Sequence, residues 1–153
     1  MRGHVLVLCA ALVVATSVTG ARAHCQIPCG IYGDDLRFAM IAEDLQTIEK
    51  SMSTIVELSA DPGANANQLT RWVMNKEHHA DLLSEIITQY FMAQRLKLPD
   101  ESDAKAVATY RDQLAMLHKM LVYAMKCKQT TDLANVAMLH DTAHAFQEAY
   151  QAK

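Results

Sequence analysis

The sequence predicts an all-α protein built as a four-helix up-down-up-down bundle. From residue 34 onward, apolar residues return every three or four positions in four successive runs, the period of a helix with one buried stripe. Breaks at Asp61-Pro62-Gly63, Pro99 and Thr130-Thr131-Asp132 separate the runs, and short links between long helices favour antiparallel neighbours. No segment of useful length alternates apolar and polar residues with the period of a half-buried strand.

The first helix opens on Asp34 and Asp35, whose negative charge suits a helix N-terminus. Its stripe is Ile41, Leu45, Ile48, Met52 and Ile55, at spacings of 4, 3, 4 and 3. Asp61-Pro62-Gly63 reads as the turn that ends it. The second helix is expected from about Asn67 to Leu98, with Trp72, His79, Leu83, Ile86 and Tyr90 on one face, Val73, Ala80 and Ile87 beside it, and Pro99 as its stop. Asp100 or Ser102 is expected to cap the third, whose stripe is Val107, Tyr110, Leu114, Leu117, Leu121 and Ala124. Thr130-Thr131-Asp132 can cap the fourth, striped by Val136, Leu139, Ala143, Phe146 and Tyr150. Met116, Met120, Met125 and Met138 read as flexible core filler rather than ligands. The charged positions between stripes read as solvated faces.

The N-terminus has a different composition. Residues 1–23 contain no acidic side chain: Arg2 precedes the apolar run Val5 to Val14, and Ala21-Arg22-Ala23 places small residues where a signal peptidase cuts. The apolar run is shorter than the roughly 20 residues that span a bilayer. This reads as a cleaved signal peptide, the alternative being a retained amphipathic anchor, and it predicts export to the periplasm or outside the cell. Cleavage after Ala23 would leave 130 of the 153 residues, with 12 basic against 17 acidic side chains and a net charge of −5. A chain of that size is one domain. Its acidity, without a basic cluster, gives no reason to expect nucleic acid. After cleavage nothing would hold it to a membrane, and an anionic substrate would have to be steered locally.

Cleavage would also expose His24-Cys25-Gln26-Ile27-Pro28-Cys29-Gly30-Ile31-Tyr32. His24 would then offer an α-amine and an imidazole, Cys25 a backbone amide nitrogen and a thiolate, and Cys29 a second thiolate. Consecutive amine, amide nitrogen and thiolate close five- and six-membered chelate rings, which favours a plane. Pro28 and Gly30 help the chain turn back so that Cys29 reaches the same ion. Square-planar nitrogen and sulfur donors suit Ni(II) or Cu(II), whereas zinc prefers a tetrahedron. Thiolates and a deprotonated amide donate strongly and bring Ni(III) within reach, and an axial imidazole would stabilise it. An ion that cycles by one electron can oxidise one superoxide and reduce the next. A Cys25–Cys29 disulfide in an exported tail is the plainer alternative, but it leaves unexplained why His24 falls at the cut.

As a mature N-terminus, His-Cys-x-x-Pro-Cys-Gly-x-Tyr resembles the nickel-containing superoxide dismutases. The match rests on His24, Cys25, Pro28, Cys29, Gly30 and Tyr32, and more loosely on four helices, Thr70-Arg71 followed by Lys76-Glu77, and Tyr90-Phe91. The resemblance implies a right-handed four-helix bundle assembled as a homohexamer, one nickel per subunit, and superoxide as substrate. It implies metal ligands at His24, Cys25 and Cys29. It also implies that Tyr32 stands over the open face of the metal, with Tyr90 as a second tyrosine in its water network. Gln26 departs from the acidic residue that often follows the first cysteine. In the family a carboxylate and an arginine hold the imidazole. Glu43 is the nearest candidate here for the first, and His79 aligns with the second, which would make the axial bond more sensitive to pH. Met92 replaces a basic residue, so Arg95 or Lys97 would have to steer superoxide.

Other residues read more plainly. His140 and His144 have the spacing of paired ligands but no third partner in sequence, so they read as exposed or capping. Only one of His78 and His79 can face a shared partner. His118 reads as a boundary residue and Cys127 as a buried or half-buried thiol. Two other functions stay open: a copper protein with His24 as a brace facing His79, and an exported bundle that binds or supports without catalysis.

Overall fold

The computed structural model describes residues 33–152. Gly33, in extended conformation, precedes helix α1 (Asp34–Leu58), whose first turn holds Asp34 and Asp35. Every member of the predicted α1 stripe is buried, and Phe38 extends it one turn toward the N-terminus.

Helix α2 (Pro62–Glu85) starts earlier than expected. The Asp61 side chain accepts the Ala64 N–H at 3.1 Å, and Pro62 occupies a first-turn position where a missing N–H costs nothing. Asp61-Pro62-Gly63 is therefore a helix start. The reversal before it is closed by the N–H groups of Ala60 and Asp61, which bond to Glu57 O and Leu58 O. The buried face of α2 is Lys76, Ala80 and Leu83. Trp72 lies half-buried and Val73 exposed, so the predicted face is rotated at this end.

Helix α3 (Ala104–Gln129) is capped by Asp103, which accepts the N–H groups of Lys105 and Ala106 at 3.0 Å each. The two caps expected from sequence, Asp100 and Ser102, bond to one another instead, Asp100 taking both the N–H and the hydroxyl of Ser102. Leu117, Met120, Ala124 and Cys127 are buried, while Val107, Tyr110 and Leu114 are only half-buried. Tyr110 lines an open pocket together with Leu96, Pro99 and Asp103 of the link before α3. Met120 is core and Met116 packs against it, as expected of filler, but Met125 is 48% exposed. Helix α4 (Leu133–Gln151) is capped by Asp132 through the Ala134 N–H at 3.0 Å and buries Val136, Leu139, Ala143 and Phe146.

Each helix packs on its chain neighbours, and α1 closes on α4. The start of α3 meets the end of α4, where Gln113 donates to Ala149 O at 3.0 Å. This is the up-down-up-down bundle. The described residues outside helices are short links only, and none of the described helices is long and apolar enough to cross a membrane.

One lysine departs from the solvated-face rule. Lys76 is only 4% exposed. Its ammonium donates to Lys128 O at 2.7 Å and Thr130 O at 3.2 Å, carbonyls that the end of α3 would otherwise leave without a partner. Burial holds its pKa below the usual lysine value.

Candidate metal centre and the cluster at its root

Past Glu85 the chain of α2 continues from Ile86 to Arg95 in wider π turns. The Leu96 N–H bonds to Phe91 O, five residues back, at 2.9 Å. In an α-helix Tyr90 and Arg95 would stand roughly 140° apart around the axis. Closing the turn on the fifth residue brings position 95 back beneath position 90. Such turns recur at functional sites, and here one carries both side chains to Asp34.

Asp34 stands two residues beyond Tyr32. Its Oδ1 accepts the Tyr90 hydroxyl at 2.6 Å. Its Oδ2 accepts Arg95 Nη2 at 2.6 Å and the Tyr150 hydroxyl at 3.0 Å. Arg95 Nε in turn donates to the Tyr150 oxygen at 3.2 Å. One carboxylate thus joins the start of α1, the π segment and the last turn of α4. The Arg37 and Arg95 guanidinium groups lie 5.3 and 5.8 Å from the Tyr90 ring centre, within cation–π reach. Beneath the cluster Phe38, Phe91, Phe146 and Tyr150 stack with ring centres 4.9 to 6.0 Å apart.

These contacts set the protonation states. Burial alone would raise the Asp34 pKa, but hydrogen bonds from Arg95, Tyr90 and Tyr150 outweigh it and hold the carboxyl below its usual range. Burial, then the bond to Asp34, pushes the Tyr90 hydroxyl up to about 12. Asp34 keeps Arg95 more firmly protonated than a free arginine. Tyr90 therefore acts here as a neutral donor whose proton is engaged by Asp34.

A depressed carboxyl pKa contributes stability that is present above the unfolded value and lost as pH falls through the folded one. The difference in melting temperature between the native chain and Asp34→Asn should be fully open above the ordinary value of 3.8 and close as pH falls below it. Both partners are partly exposed, so the charge contributes only about 1 kcal/mol. Melting curves across the acid range check this; a gap independent of pH would assign the loss to packing.

The other predicted residues are distributed as follows. His79 Nδ1 lies 2.7 Å from Asp44 Oδ1. The Asp44 side chain in this pair is only 7% exposed. Glu43 is exposed and lines an open groove between α1 and α2 with Gln46, Arg71 and Trp72. Burial pushes the Asp44 carboxyl up, more than His79 pulls it down. His78 faces solvent, edge-on to the His79 ring. Arg95 is committed to Asp34, and Lys97 is exposed. His118 lies exposed rather than at a core boundary. His140 is half-buried, its Nε2 3.4 Å from Glu49, and His144 is exposed near Glu148. Cys127 is fully buried, and burial pushes its thiol up to about 11, which leaves it unreactive.

His24, Cys25, Cys29 and Tyr32 lie outside the described residues, as does the expected signal peptide. Among the described residues no three metal-ligating side chains gather. The sequence reading missed Asp34 as a junction, crediting it only with helix-end charge, and missed Tyr150, which it placed in a core stripe. The signal available for both was sequence position alone: one acid just after the motif and one tyrosine in the last helical turn.

A family model described as nickel-containing superoxide dismutase matches residues 19–153. That span contains the His24–Tyr32 motif and all four helices. No curated protein and no solved structure matches the chain.

Proposed function

Because this chain belongs to the nickel-containing superoxide dismutase family, we propose that its N-terminal hook, His24 to Tyr32, is where it turns two superoxide anions and two protons into dioxygen and hydrogen peroxide. The observation that carries this reading is the hook motif, which lies inside the matched span and is followed within two residues by the Asp34 cluster.

The donor set fits nickel. The amine and imidazole of His24, the amide nitrogen and thiolate of Cys25 and the thiolate of Cys29 would hold it, a mixed nitrogen and sulfur set of the kind that suits nickel. Nickel held there supplies one-electron cycling between Ni(II) and Ni(III). The chain supplies the rest. Tyr32, next in the motif, would hold water with its hydroxyl and limit access to the metal by size. Gln26 keeps the loop free of a further negative charge beside an anionic substrate. Cys127, sealed in the core, does not compete for the metal. Residues 1–23 act as an export signal, and the exported subunits assemble as a homohexamer with one nickel each.

Mass spectrometry of the native exported protein, combined with metal analysis, tests this reading. The expected species begins at His24, carries one nickel per subunit and assembles from six copies. A different N-terminus, or dismutation by a nickel-free protein, would falsify it. Stoichiometric copper would favour the brace reading instead.

A further inference from the structure

We propose that Asp34 and Tyr150 are positioning residues for the hook, so that the last turn of α4 tunes a site formed at the other end of the chain. The proposal rests on the hook reading above.

The geometry is that of a clamp. Only Gly33 separates Tyr32 from Asp34, so the place where Asp34 is held limits where Tyr32 can stand. Asp34 is held by three donors from two other elements: Tyr90 at 2.6 Å, Arg95 at 2.6 Å and Tyr150 at 3.0 Å. The N-cap Gly33 makes no side-chain bond to α1, and this carboxylate ties the first helical turn to the two other elements. Tyr150 occupies a particular place in the clamp. Its hydroxyl donates to Asp34 and accepts from Arg95 at 3.2 Å, closing a triangle that fixes the arginine as well as the acid. Its ring packs on Phe38, in the first turns of α1, at 5.8 Å and on Phe91 at 5.5 Å. A network of this kind acts as a unit, since each bond sets the direction of the next. Small losses of position at a reacting centre are costly in rate. The clamp would act through Gly33, the one residue between Asp34 and Tyr32.

The test is a double-mutant cycle on the full-length, exported, nickel-loaded protein, with Asp34→Asn, Tyr150→Phe and the pair. Tyr150→Phe removes one oxygen and keeps the ring. Lys76→Met serves as the control: it loses the bonds that cap α3 about 20 Å along α2 from Tyr90 by helix rise. At equal nickel content, kcat/KM should fall about tenfold in Asp34→Asn and about threefold in Tyr150→Phe. The double variant should be no worse than Asp34→Asn, because Tyr150 works through Asp34. The thiolate-to-nickel absorption should shift in these variants and not in Lys76→Met. Unchanged kcat/KM with an unshifted band in Asp34→Asn overturns the proposal, and so do losses that multiply in the pair. Should Asp34→Asn fail to fold, Tyr150→Phe decides alone by the same two readouts. Failure here with Cys29→Ser inactive leaves the hook reading standing, whereas an active Cys29→Ser removes the hook reading itself.

Discussion

Replacing Cys29 with serine is expected to leave a folded bundle that neither retains nickel nor dismutates superoxide. A serine hydroxyl is a hard donor that stays protonated at neutral pH, whereas the thiolate is the form that binds a soft metal and donates charge to it. Loss of a ligand should cost more than the roughly 10- to 100-fold typical of an outer hydrogen-bond partner, so activity should fall below detection in an ordinary assay. Cys25→Ser should behave the same way. So should a single extra residue before His24, since it turns the amine into an amide. Cys127 cannot stand in, because it is fully buried and its thiol holds its proton to about 11. The fold should survive, since the core among the described residues runs from Phe38 to Phe146 and draws on all four helices. Metal content, the far-UV spectrum and a dismutase assay on each variant check the expectation. Wild-type activity in either serine variant would remove the ligand assignment.

The sequence spoke most clearly where one physical rule acted alone. The α1 stripe from Ile41 to Ile55 is buried at every predicted position because a heptad period on a long helix leaves few other arrangements. Of the expected Thr130-Thr131-Asp132 cap it is Asp132 that caps α4, its side chain accepting the Ala134 N–H. Where two local rules competed, the reading slipped. Asp100 and Ser102 could each cap α3, but bonded together they leave that role to Asp103. Asp61-Pro62-Gly63 has the composition of a turn and also that of a helix start, and the free first-turn position for proline decided for the helix.

What stayed hidden depends on contacts between distant segments. Lys76 reads as a surface lysine on its own helix and becomes buried because the end of α3 needs donors. Asp44 and Glu43 are adjacent carboxylates with the same local signal, and only the packing of α1 on α2 turns Asp44 inward to His79. The π turns at Ile86–Arg95 show no break in the apolar pattern, so Tyr90 and Arg95 could not be placed on one side beforehand. The hook is the opposite case. The donors proposed for it lie within six residues of the expected cut, so the motif can be recognised without any tertiary contact.

Phe91→Ala should be the most destabilising single substitution at the site end of the bundle. Phe91 is fully buried and meets Phe38, Phe146 and Tyr150 with ring centres at 4.9, 5.1 and 5.5 Å. It therefore joins α1, α4 and the π segment at once. Truncation removes the burial of a large ring and leaves a cavity that three helices cannot all move to fill, at a cost of about 3–5 kcal/mol. For a domain of this size the melting temperature should drop by roughly 10–20 °C. Phe91→Leu should cost markedly less, since most of the volume remains. The two variants separate volume from ring geometry when urea midpoints are compared at constant slope. Because Phe91 supports the Tyr150 and Phe38 rings on either side of the Asp34 junction, the alanine variant should also loosen the root of the hook. Nickel should then be lost faster from the variant than from the native chain at a temperature where both are folded. A loss of stability below about 1 kcal/mol would mean that the neighbouring rings collapse into the space, and the aromatic stack would then be a deformable filling rather than the support on which Asp34 rests.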